Sequence, residues 1–147
     1  LKIIAGLSEM NNGEVINELS FNYIAHENAL KDSLSVIDNL AFWAGLHDAE
    51  LAMAAALRYF ELDEVVDRPV AQLSQGQKTR LSLARLLCCP TDLWLLDEPL
   101  ANIDDEMQKK VKNMINVKAS EAGIIIISSN NKHDDIINAV TIDLDDF

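Results

Sequence analysis

Leu93-Trp94-Leu95-Leu96-Asp97-Glu98-Pro99 decides how this chain is read. An unbroken apolar run suits a strand buried on both faces, as the strands of a parallel sheet are. Two carboxylates follow at the strand's carboxyl end, the edge at which open α/β sheets hold their ligands. Pro99 has no N–H for a ladder, so the strand stops there. Farther along, Ile124 to Ile127 is a second, β-branched run that closes on Ser128-Ser129. Between them Asp104 to Glu121 carries Met107, Val111, Met114 and Ile115 at helical spacing, with Gly123 just past its end. Strand, helix and strand in that order predict parallel strands joined by a right-handed crossover.

Upstream, Ser74 precedes a helix that runs to about Cys89, where Pro90 stops it. In that helix Lys78, Ser82 and Arg85 read as a polar line, with Leu83, Leu86 and Leu87 facing elsewhere. Ser35 suits the cap of a helix carrying Val36, Leu40 and Trp43 as far as Gly45, and Asp48 the cap of another carrying Met53, Leu57 and Phe60. Phe21 to Ala25 reads as a short strand, and Leu1 to Leu7, closed by Gly6, as the tail of a helix. A last short helix at Asp134 to Ala139 and a strand at Val140 to Leu144 continue the alternation. The fold class expected is α/β with a parallel sheet.

With 147 residues the chain has length for one domain, and 49% apolar residues with few Gly and Pro exclude disordered or collagen-like chains. The net charge of −12 argues against nucleic acid as a partner, because a nonspecific binder of phosphate backbones needs a basic field. No apolar run is long enough to span a bilayer, and the start lacks the layout of a secretion signal. Cys88 and Cys89 are adjacent within an apolar stretch, so they read as reduced core residues rather than as a disulfide or metal ligands.

Two short stretches carry chemistry. Leu73-Ser74-Gln75-Gly76-Gln77 opens a helix with a hydroxyl, a glycine and free backbone N–H groups at the positive end of the dipole, which suits a phosphate. The plainer alternative is an ordinary N-cap beside an incidental glycine. Asp97 and Glu98 fit the pair that in nucleotide hydrolases serves Mg2+ and the attacking water. The plainer alternative there is a strand ending in solvent.

Taken together in order and spacing, the LSxGQ helix start, the strand-ending LLDEP, Ala101-Asn102-Ile103-Asp104 and a strand closing on Ser128-Ser129 resemble the ATP-binding subunit of ABC transporters. That resemblance implies a P-loop NTPase-like parallel sheet, from core segments 1–28 and 90–147, with an inserted helical subdomain at 29–89. It implies ATP and Mg2+ as cofactors. Ser74, Gly76 and Gln77 would touch the γ-phosphate of ATP held by a second ATP-binding subunit, Asp97 would serve Mg2+ through water, and Glu98 would be the catalytic base. Asp104 would lie in the D-loop at the dimer interface, His26 at the Q-loop position, and Asn130 where a switch histidine normally stands, with His133 one helical turn on. The other partner implied is an integral membrane transporter subunit, at the cytoplasmic face of the bacterial inner membrane.

By the same resemblance Leu1 to Leu7 follows a Walker A loop, yet nothing in the chain reads GxxxxGK(S/T), so it is read as truncated before its first strands. Such a fragment alone is expected neither to bind nor to hydrolyse ATP, and an unpaired edge at Ile124 to Ser128 is expected to make it marginal and prone to aggregate. Tyr23 to Lys31, Leu34-Ser35-Val36, Asn39 to Trp43 and Trp94 are similar to the branch of the family that serves cytochrome c maturation and haem handling. The rival readings are a degenerate, non-hydrolysing scaffold that docks on a membrane subunit through residues 29–89, and the ATPase of another transporter.

Overall fold

The computed structural model describes residues 1–25, 29–130 and 136–143. Strands β1 (Phe21–Ile24), β2 (Leu93–Asp97) and β3 (Ile124–Ser128) form a parallel sheet in the order β1-β2-β3. Asn22, Trp94 and Ile125 stand in one row and Ile24, Leu96 and Ile127 in another, all on the same face. That face joins the hydrophobic core. Asn22 donates from its side-chain amide to the Cys89 carbonyl at 2.8 Å and to Thr91 Oγ1 at 3.1 Å, which satisfies its donors, whereas the buried indole N–H of Trp94 has no partner. Tyr23, Leu95 and Ile126 alternate onto the opposite face.

The helices are α1 (Val36–Gly45), α2 (Met53–Tyr59), α3 (Gln75–Cys88) and α4 (Asp105–Ser120). Three begin with local chemistry that the sequence carries: Ser35 accepts from the Asp38 N–H, Ser74 from the Gln77 N–H and Asp104 from the Met107 N–H. Leu1 to Leu7 forms one helical turn ending in a Schellman arrangement. Leu7 N–H donates to the Lys2 carbonyl and Gly6 N–H to that of Ile3, with Gly6 at φ 70.

Four expectations fail. Asp48 does not cap α2: it sits at φ 51 beyond α1, a short 3-10 turn (Glu50–Ala52) intervenes, and Ala52 occupies the cap with no side-chain bond. Ser82 and Arg85 are not a solvated polar line, since beyond its first turn α3 is packed against α1, α2 and the sheet; Ser82 is 0% and Arg85 3% exposed, while Lys78 nearer the tip is half-buried. The Arg85 guanidinium stacks on the Trp43 ring at 3.7 Å, and burial lowers its pKa to about 10, which leaves it charged at neutral pH. Val140 to Asp143 form no strand; Val140 is 88% and Ile142 69% exposed, because alternating apolar residues need a ladder partner to become one. Ile136 to Asn138 form a turn rather than a helix, and the rest of that expected helix, with Leu144, lies outside the described residues.

Candidate functional site

The tip of α3 is closed on itself. Ser74 Oγ accepts from the Gln77 N–H at 3.2 Å, and Gln77 Oε1 accepts from the Ser74 N–H at 3.0 Å. The amides of Gln75 and Gly76 remain as the first-turn donors that the helix itself cannot use. Ser74 is exposed and Gly76 half-buried, so this tip reaches the surface. Gly76 is demanded by its surroundings: a Cβ there would stand 2.7 Å from the Asn102 carbonyl oxygen.

Asp97 ends β2 and Glu98 follows it. Asp97 is still in the ladder opposite Ser128, whose hydroxyl donates to its Oδ1 at 2.5 Å. Glu98 leaves the sheet at φ 51, its N–H donating to the Ser128 carbonyl at 3.0 Å. Its Oε1 accepts from the Asn130 backbone N–H at 3.0 Å. The carboxylate is therefore held by the main chain after β3, not by the Asn130 side chain. Ala25, Thr79, Asp97, Glu98 and Asn102 line one shallow cleft between α3 and the sheet end. Tyr23 has a buried hydroxyl with no hydrogen-bond partner, and burial, with the charge of Asp97, pushes its phenol above the usual range.

From Glu98 the chain loops to Asp104 under several restraints. Ala101 N–H donates to the Glu98 carbonyl at 3.1 Å, and Gln108 Nε2 donates to the carbonyls of Leu100 at 3.3 Å and Ile103 at 3.2 Å. Asp104 divides its oxygens: Oδ1 caps α4 and Oδ2 accepts from Arg80 Nη2. The Met107 N–H, and after it Arg80, holds the Asp104 carboxyl below the usual range. The sequence singles out Ser74, Gly76, Gln77, Asp97, Glu98, Asp104 and Asn130 and marks Ser128 only as the end of a strand, while Arg80 and Gln108 go unmarked. No local pattern gives the bond from Ser128 to Asp97 or the bonds of Arg80 and Gln108, because each is made to a residue outside its own element. His26 and His133 lie outside the described residues.

The donor set bears on what the cleft can hold. Mg2+ keeps several waters and takes one or two carboxylates plus substrate phosphates. Asp97, with Oδ2 not engaged by Ser128, fits such a shared site, whereas no group of three or more His, Cys, Asp or Glu among the described residues makes a self-sufficient metal cage. The first-turn amides of α3 fit a phosphate oxygen.

A family model described as ABC transporter matches residues 1–101. The cytochrome c biogenesis ATP-binding export protein CcmA of Wolbachia pipientis wMel is 38% identical over 128 residues, which cover 87% of this chain and 62% of that protein. The protein of the same name from Rickettsia conorii is 34% identical over 138 residues, covering 88% of this chain and 72% of its own length. Among solved structures, a Pyrococcus furiosus chain described as an ABC transporter ATP-binding protein is 27% identical, with a TM-score of 0.75, and the match covers 90% of this chain and 72% of that one. The chain thus spans less than two thirds of the first of these relatives.

Proposed function

This chain belongs to the ABC transporter family, and from that membership and the site above we propose that its complete parent hydrolyses ATP within a dimer to drive a membrane subunit. The observation that carries the reading is the fixed Asp97-Glu98 pair at the carboxyl end of β2, one carboxylate held by Ser128 and the next by the Asn130 N–H. Glu98 takes a proton from the attacking water, its second oxygen Oε2 being the one not bound to the main chain. Asp97 would hold Mg2+ through water, and the ion would supply positive charge to neutralise phosphate oxygens. Ser74, Gly76 and Gln77 offer the α3 tip to a γ-phosphate held by the other subunit, and the P-loop nest and lysine on which most phosphate affinity rests are not within residues 1–147. Residues 29–89 form the helical subdomain that docks on a membrane subunit, and no helix of the described residues is long and apolar enough to cross a membrane itself.

The curated relatives support a finer assignment to cytochrome c biogenesis, with haem handling as the work driven, a CcmB-like permease as membrane partner and the inner face of a bacterial membrane as location. The test is ATP turnover by the complete parent with Mg2+, native against Glu98→Gln. Turnover that the substitution abolishes supports the assignment; a parent with no turnover overturns it and leaves the scaffold reading. Asn130 favours that second reading, since an amide cannot become the cation that a switch histidine can.

A further inference from the structure

Arg80 lies one helical turn beyond Gly76 on α3 and joins three elements. Its Nη1 donates to Glu61 Oε2 at 3.1 Å, its Nη2 to Asp104 Oδ2 at 2.5 Å, and Lys110 of α4 donates to the other oxygen of Glu61 at 2.5 Å. Glu61 follows α2 at φ 55 and Asp104 caps α4, so one guanidinium bridges the end of one helix and the start of another. The Arg80 side chain is only 19% exposed, whereas its two carboxylates are about half exposed, at 49% and 56%. Lysine could replace it only in part, since a single ammonium keeps the charge but lacks the planar fork that reaches two carboxylates at once.

The loop between Glu98 and Asp104 is held at both ends. At the Glu98 end, Ser128 and Asn130 fix the backbone and the carboxylate. At the Asp104 end, the tie to α3 is Arg80, while the Asn102 carbonyl oxygen between them lies 2.7 Å from where a Gly76 Cβ would be. We infer that Arg80 is a positioning residue: its two-carboxylate clamp keeps the α3 tip and the Glu98 loop in one relative placement. The inference rests on the hydrolytic reading and adds to it the group that relates its two halves. Ion pairs this close to solvent contribute little to global stability, so the clamp acts on placement and hence on rate.

The experiment uses the complete parent protein, with Arg80→Gln, Arg80→Lys, Asp104→Asn and the double variant Arg80→Gln/Asp104→Asn. Asparagine keeps the α4 cap but gives up the charge, which separates capping from clamping. ATP turnover and hydrogen exchange across residues 99–104 are read together. Expected are a kcat reduced about tenfold in Arg80→Gln, an ATP KM changed less than about twofold, partial recovery with lysine, and a double variant no worse than either single one. Exchange across 99–104 rises in the same variants. Unchanged exchange in Arg80→Gln overturns the inference whatever the turnover, and so does an unaltered kcat in an active parent. A native parent without turnover defeats the hydrolytic reading instead, and the exchange result then decides the clamp alone.

Discussion

The position where a Gly76 Cβ would sit lies 2.7 Å from the Asn102 carbonyl oxygen, which puts the α3 tip and the loop after Glu98 in backbone contact. Asn102 reaches that contact at φ 63, a conformation that asparagine tolerates better than most residues. Gly76→Ala therefore sets two effects against each other. Alanine gains about 1 kcal/mol in a helix interior over glycine, and the overpacked contact costs about 1–3 kcal/mol. The expected result is a net loss of stability by urea unfolding, and a stabilised variant would show that the loop yields freely.

Ser74 both caps α3 and borders the proposed phosphate site. Ser74→Ala should lower stability by about 1 kcal/mol, while Ser74→Asp should hold it near native because the acceptor is retained. Thermal unfolding of the pair separates the cap from any anion effect. Equal loss in both would mean the hydroxyl is doing something other than capping.

At Asn130 the donor to Glu98 is the backbone N–H, and the residue is exposed. Asn130→Ala and Asn130→His should both leave stability within about 0.5 kcal/mol of native, as surface substitutions usually do. Unfolding midpoints check this. A drop beyond about 1 kcal/mol in either would mean that the amide side chain holds structure.

Burial, with the neighbouring Cys89, raises the Cys88 thiol to about 11. As pH rises past the ordinary thiol range the unfolded chain gives up its proton first, so the unfolded state binds fewer protons and stability must fall. The decline should begin near pH 9, the ordinary value, and run toward pH 11, the folded one. Cys88→Ala should flatten it in pH-dependent unfolding; an unchanged slope would assign it elsewhere. Disulfide-exchange reagents at pH 8 should react slowly with the folded chain and quickly in urea.

Among the described strands β3 is an edge, and Ile124 and Ile126 on it are 50% and 36% exposed. Charged residues on an edge discourage pairing between molecules. Ile126→Lys should raise the concentration at which the 147-residue chain stays monomeric by light scattering. The same threshold in both forms would show that association runs through another surface.

The sequence by itself determined what neighbouring residues can settle among themselves. Unbroken apolar runs marked β2 and β3, and apolar residues at helical spacing marked the helices α1, α3 and α4, because a segment's pattern is tied to its own geometry. Ser35 and Ser74 announced their caps, since each bond spans a single turn. The doublet Asp97-Glu98 was legible as the end of a strand, because a strand end in a parallel sheet has one defined place. Where two segments had to meet, the text of the chain fell silent. Ser82 and Arg85 look like surface residues until α1, α2 and the sheet close over them, and Val140 to Asp143 look like a strand until no ladder partner is found. Arg80 became significant only when folding brought Glu61 and Asp104 to its fork from opposite sides in sequence. Tertiary structure alone could decide these, because burial, strand pairing and ion pairs across helices depend on distances that no local spacing encodes.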